Sequence, residues 1–161
     1  MARTDNEVRV TLSVLDRLLD YEPDISREAI ASRAKNLRQL KQSVRRDLEW
    51  LLNTRQTADP LPPGLKELNR SLAAYGLPDM STVNVRSPSD QNRMLRSLES
   101  AISIFEPRLQ DIQVSLEGGR DGERALRFRI DARLWVDPAP EPVTFDTVLQ
   151  LHSGEYQVKG E

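Results

Sequence analysis

The chain has 161 residues, 38 % apolar and 30 % charged, a size that fits one domain with one sizeable buried core. Its formal net charge of −2 leaves no basic excess for holding a phosphate backbone, so the composition argues against nucleic-acid binding. With no cysteine, a single histidine (His152) and no apolar run near the ~20 residues that cross a bilayer, it also argues against disulfides, thiolate chemistry, metal binding and membrane insertion. Met1 leads into no apolar secretory leader, and a cytoplasmic location is expected.

The first organised piece lies between Thr11 and Tyr21. Ser13 and Asp16 have capping-box spacing, and Val14, Leu15, Leu18 and Leu19 make one apolar side of a short helix. Isolated helices of this length are marginal in water, so it must dock on its own domain or on a partner. The expected division is a flexible segment over 1–25 carrying this docking helix, followed by a single domain over 26–161.

A long helix is predicted from about Arg27 to Leu52, with Ser26 as N-cap and an Ile25/Ile30 staple. Ile30, Ala34, Leu37, Val44, Leu48 and Leu51 form its core stripe, widened by Leu40 and Leu52. Arg45 and Arg46 fall on the basic face, read as solvated and favoured by the helix dipole. Asn53 to Pro63 reads as a loop, and a short helix over Leu65, Leu68, Leu72 and Tyr75 ends at Gly76 as a left-handed cap. Val83 and Val85 suggest a brief extended segment. The next helix start is the clearest, with Ser87 as cap, Pro88 at the first helical position and Asp90 three residues after the cap. Met94, Leu95, Leu98, Ala101, Ile102 and Phe105 carry that helix to Glu106-Pro107-Arg108.

There the apolar period changes from helical to two. Pro107 has no N–H, and its ring disfavours the α conformation at Glu106, so the helix stops. Ile112, Val114 and Leu116 then alternate with polar residues, as do Leu126 to Leu134 and Val143 to Leu151, with a last short strand at Tyr156 and Val158. The fold class is α+β, with N-terminal helices packed on a C-terminal antiparallel β-sheet meander. Taken alone, Glu106 and Arg108 read as a helix stop with a local ion pair.

Catalytic constellations are sparse. His152 sits beside no nucleophile-elbow pattern, and Gly118, Gly119 and Gly122 join two strands rather than open a helix. Glycosidases need two carboxylates about 5–9.5 Å apart. Glu106 and Asp111, five extended residues apart, would lie roughly 16 Å from one another. Asp131, Asp146 or Glu117 could approach only through tertiary folding.

Three stretches in the right order resemble TssE, a baseplate subunit family of bacterial type VI secretion systems: Ser13-Val14-Leu15-Asp16-Arg17-Leu18, Arg46-Asp47-Leu48-Glu49-Trp50-Leu51-Leu52-Asn53-Thr54-Arg55, and Glu106-Pro107-Arg108. The resemblance spans roughly 11 to 151. It implies a non-enzymatic structural component that joins the TssF/TssG wedge to the contractile TssB/TssC sheath around its Hcp tube, with no cofactor. It also implies partner contact through Glu106, Pro107 and Arg108. The family's historical "lysozyme-like" label keeps a peptidoglycan (murein) hydrolase as the alternative. A stand-alone regulatory binding module is a third possibility. A strand edge at Val143 to Leu151 is expected either to recruit sheath subunits by strand addition or to be protected.

Overall fold

The computed structural model describes residues 13–19, 33–56, 62, 64–79, 84, 87–117 and 125–160. Three α-helices, α1 (Val14–Leu18), α2 (Arg33–Asn53) and α3 (Pro88–Phe105), precede four strands, β1 (Leu109–Glu117), β2 (Ala125–Leu134), β3 (Glu141–Gln150) and β4 (Tyr156–Gly160). The strands form one antiparallel meander in the order β1-β2-β3-β4. The α+β architecture expected from the change of period is therefore the observed one.

Helices α2 and α3 cover one face of the sheet, α3 lying on β1 and α2 on β4. Leu40, Val44, Leu48 and Leu51 from α2 meet Met94, Leu98, Ala101 and Ile102 from α3 over Phe128, Ile130, Leu134, Val143, Phe145 and Leu149. Burying each large side chain contributes about 1.5–3 kcal/mol, so this layer drives the fold. The other sheet face is wet and bears a charged lattice in which Arg129 bonds Glu117 on β1 and Asp146 on β3. Exposed pairs of this kind contribute little individually.

Several local expectations change. The predicted start of α2 at Ser26, with its Ile25/Ile30 staple, lies outside the described residues, as do Val83 and Val85. The last turn of α2 holds no basic residue. Arg45 and Arg46 lie too far back for a dipole effect that fades within the last turn. The helix expected over Leu65 to Tyr75 is two 3-10 turns, Leu68–Arg70 and Leu72–Ala74, and Leu65 and Leu72 are exposed. Ser71 interrupts the pattern by accepting from the Ala73 N–H with its own hydroxyl, a local bond that competes with helix continuation. Gly76 does take a positive φ of 105°. At α3 Ser87 makes no side-chain cap bond. Its hydroxyl pairs with that of Ser89, and Asp90 accepts from the Asn84 N–H.

The strand edge expected at Val143 to Leu151 is only partly there. Phe145 to Leu149 pair with β4 on one side and β2 on the other, so that part of β3 is interior. Among the described residues the edges are β1, β4 and the Glu141–Thr144 half of β3 that extends past β4.

Candidate partner-binding corner

Helix α3 ends at Phe105, and Glu106 leaves the helical conformation at φ −122° and ψ 73° with its N–H still donating to the Ile102 carbonyl. Pro107 is exposed at the corner, and Arg108 leads into β1. The Trp135 N–H donates to the Arg108 carbonyl at 2.8 Å, which prolongs the β1/β2 ladder and sets Trp135, 63 % exposed, across the strands from Arg108. Nothing in the alternation of β2 required an aromatic there. Its outward position after Leu134 was the available signal.

The two charges of the corner turn inward. Glu106 is only 4 % exposed, and Arg108 grips it through both carboxylate oxygens, Nε to Oε1 and Nη2 to Oε2, each at 2.6 Å. Arg108 also reaches α2, donating to Asp47 Oδ2 at 2.6 Å and to Ser43 Oγ at 3.2 Å. Ser43 and Asp47 are one helical turn apart and so share a face. Burial alone would lower the Arg108 pKa. The hydrogen bonds and charge of Glu106, then Asp47, outweigh it and raise the pKa above the ordinary arginine range.

From Asp47 the network continues outward. Arg46 donates to Asp47 Oδ1 through Nε and Nη2 at 3.0 and 2.8 Å, and Nη2 also donates to Asp16 Oδ1 at 2.9 Å. Asp16 closes the capping box expected at α1. Its backbone N–H donates to Ser13 Oγ, and its carboxylate accepts from the Ser13 N–H and hydroxyl. Desolvation pulls the Asp16 pKa up, but the bonds from Ser13 and Arg46 prevail and hold it below the ordinary aspartate range. Arg46 also lies 5.0 Å over the exposed Trp50 ring, within cation–π range. Three carboxylates and two guanidiniums thus alternate from the corner to α1. Val14 and Leu18 of α1 remain exposed, so this docking on the domain is polar.

The remaining signature residues fasten the end of α2. Asn53 pairs with the Tyr156 backbone in both directions at 2.8 Å, its Nδ2 donating to the carbonyl and its Oδ1 accepting from the N–H. Thr54 accepts at its carbonyl from the Leu77 N–H, and Gln56 N–H donates to the Leu77 carbonyl. Tyr75 stacks edge-on against Phe105 at 5.3 Å. Burial first, then the charges of Asp47 and Glu106, raises its pKa.

Because Asp47 Oδ2 and Glu106 Oε2 share one donor nitrogen, those oxygens lie within about 5 Å of each other. That approaches the spacing of a retaining glycosidase. The Arg108 guanidinium, however, fills the space that a sugar and its leaving group would need. Spacing along the chain pairs Glu106 with Asp111 and gives no sign of Asp47, which comes near only when α2 packs beside the corner. Asp111 instead pairs with Arg133. No group of three potential metal ligands occurs among the described residues.

A family model described as baseplate wedge protein gp25 matches residues 38–139, which takes in both the α2 signature and the corner. Among curated proteins, the anti-adapter protein IraD of Escherichia coli O127:H6 (strain E2348/69 / EPEC) is 33 % identical across 76 % of this chain and 85 % of its own length. IraD of E. coli strain SMS-3-5 / SECEC is 32 % identical across 71 % of this chain and 79 % of its own. This chain belongs to the baseplate wedge protein gp25 family, the family of TssE.

Proposed function

We propose that this protein is the TssE-type structural subunit of a type VI secretion baseplate, working at the cytoplasmic side by binding and not by turnover. The supporting observation is the family match over 38–139, which contains the corner together with the α2 residues bonded to it. In this reading Glu106, Pro107 and Arg108 form the contact with TssF and TssG. Glu106 and Arg108 hold the backbone turn from inside, and Pro107 with its neighbour Trp135 supplies the outer surface. Exposed tryptophans commonly carry a large share of an interface's energy.

The TssB/TssC sheath would be met at the sheet. Past the Asn53 pairing at Tyr156, β4 runs to Gly160 with no further strand beside it among the described residues. Together with Glu141–Thr144 this is the edge available for strand addition.

Co-expression with TssF and TssG followed by size-exclusion chromatography tests the wedge assignment. The wild type should elute with both, and Trp135→Ala should reduce the complex while leaving the melting temperature unchanged. A folded wild-type protein that elutes alone overturns the reading.

The similarity to proteins named anti-adapters favours a second reading, a stand-alone regulatory binding module. It predicts a complex outside any baseplate and no effect on sheath assembly when the gene is removed. Hydrolysis of peptidoglycan by the purified wild type would instead revive the enzymatic alternative.

A further inference from the structure

We propose that Glu99 closes the β1 edge of the sheet against strand pairing with a second copy of this chain. An edge strand presents unpaired N–H and C=O groups, a template on which another chain can build. On β1 the outward N–H of Val114 is taken. Glu99, on the side of α3 facing this strand, accepts it at Oε1 over 2.9 Å. The first half of the same strand is spoiled in another way. The register with β2 shifts between Gln110 and Gln113, and Asp111 has a φ of 51°, so a bulge breaks the flat edge that a partner would need.

Arg96, Glu99, Ser103 and Asp111 line a groove of about 410 Å³ between α3 and the bulged start of β1. It is too charged to serve as an apolar seat. Remove the Glu99 carboxylate, and Val114 to Glu117 become a regular stretch of open edge. A second copy meeting it across a two-fold axis would pair the same residues antiparallel and join two sheets into one.

This closure stands on β1 geometry alone. Its consequence for assembly rests on the proposed baseplate role: with β1 shut, strand addition can occur only at the β4 side, which gives the subunit a single growing edge.

Glu99→Ala removes the acceptor and keeps a strong helix former in α3. Glu99→Gln keeps an acceptor oxygen at the same reach. The measurements are amide hydrogen exchange at Val114 and sedimentation velocity over a concentration series. In Glu99→Ala the Val114 amide should exchange about tenfold faster, the size expected for one hydrogen bond. Concentration-dependent dimers should appear beyond any in the wild type, whereas Glu99→Gln should match the wild type in both measurements. Adding Leu116→Pro, which removes the next outward N–H two residues along, should abolish the added dimer. Unchanged Val114 exchange in Glu99→Ala overturns the cap. Faster exchange without new association, or association that survives Leu116→Pro, overturns the closed edge.

Discussion

Truncating Arg108 tests whether the corner is held from inside. Arg108→Ala removes two 2.6 Å bonds to Glu106 and leaves that carboxylate in a site only 4 % exposed, with Asp47 also losing its 2.6 Å donor. Breaking a buried pair on one side costs roughly 3–5 kcal/mol, because the surviving charge has neither water nor partner. Removing both partners leaves no stranded buried carboxylate at position 106. The double variant Glu106→Ala/Arg108→Ala should therefore lose less than the two single losses added together, with a coupling of about 1–3 kcal/mol. Urea denaturation of the four proteins, with the slopes checked for equality, measures this directly. A loss below about 1 kcal/mol for Arg108→Ala, the range of exposed pairs, would refute the inward-held corner and favour charges directed at a partner. The same numbers govern how binding data are read. Complexes lost in Glu106→Ala or Arg108→Ala carry a folding defect with them, so Trp135 is the cleaner probe of contact.

Three more outcomes follow from particular atoms. The Tyr156 hydroxyl is buried with no hydrogen-bond partner among the described residues, and burial pushes its pKa up to about 12. The fold favours the neutral phenol, so its contribution is complete below pH about 10 and lost between about 10 and 12. A shift of that size is worth on the order of 2–3 kcal/mol. Tyr156→Phe should abolish that alkaline loss without destabilising the protein at pH 7, as read by pH-dependent thermal melts. A loss above about 1 kcal/mol at pH 7 would mean that the hydroxyl is bonded. Gly76→Ala should destabilise by about 2–4 kcal/mol in urea titration, since the φ of 105° disfavours a side chain and the new Cβ would overlap the Thr54 carbonyl oxygen that anchors Leu77. Asp16→Asn should loosen α1 by about 1 kcal/mol, seen as faster amide exchange over Val14 to Leu19 with the core unchanged. Because the fold lowers the Asp16 pKa, α1 docking is fully supported above the ordinary aspartate range and is lost as pH falls below about 4. Exchange at α1 that stays flat across that window would count against the Asp16–Arg46 link.

Local chemistry was enough to read the elements. The proline after Glu106, the change of apolar period and the Ser13/Asp16 spacing each act within a few residues, and the structure has α3 ending at Phe105, four antiparallel strands and the α1 capping box. Where two local solutions compete, such reading fails. Ser71 broke a helical pattern into 3-10 turns, and Asp90 found Asn84 instead of completing a box with Ser87. Asn53 was visible as part of a family signature, but its pairing with Tyr156 joins residues 103 positions apart.

Residues within a few positions of one another set the order and type of the elements, the apolar faces that make the core and the family resemblance carried by 13–18, 46–55 and 106–108. Where the charges of the corner point depends instead on how distant elements pack. Glu106 and Arg108 are neighbours in sequence under any fold, but burial of Glu106 and the bonds to Asp47 and Ser43 exist because α2 packs beside the end of α3. The edges were decided in the same way. Hydrogen bonding between strands distant in sequence made most of β3 interior and left β1 to be met by Glu99.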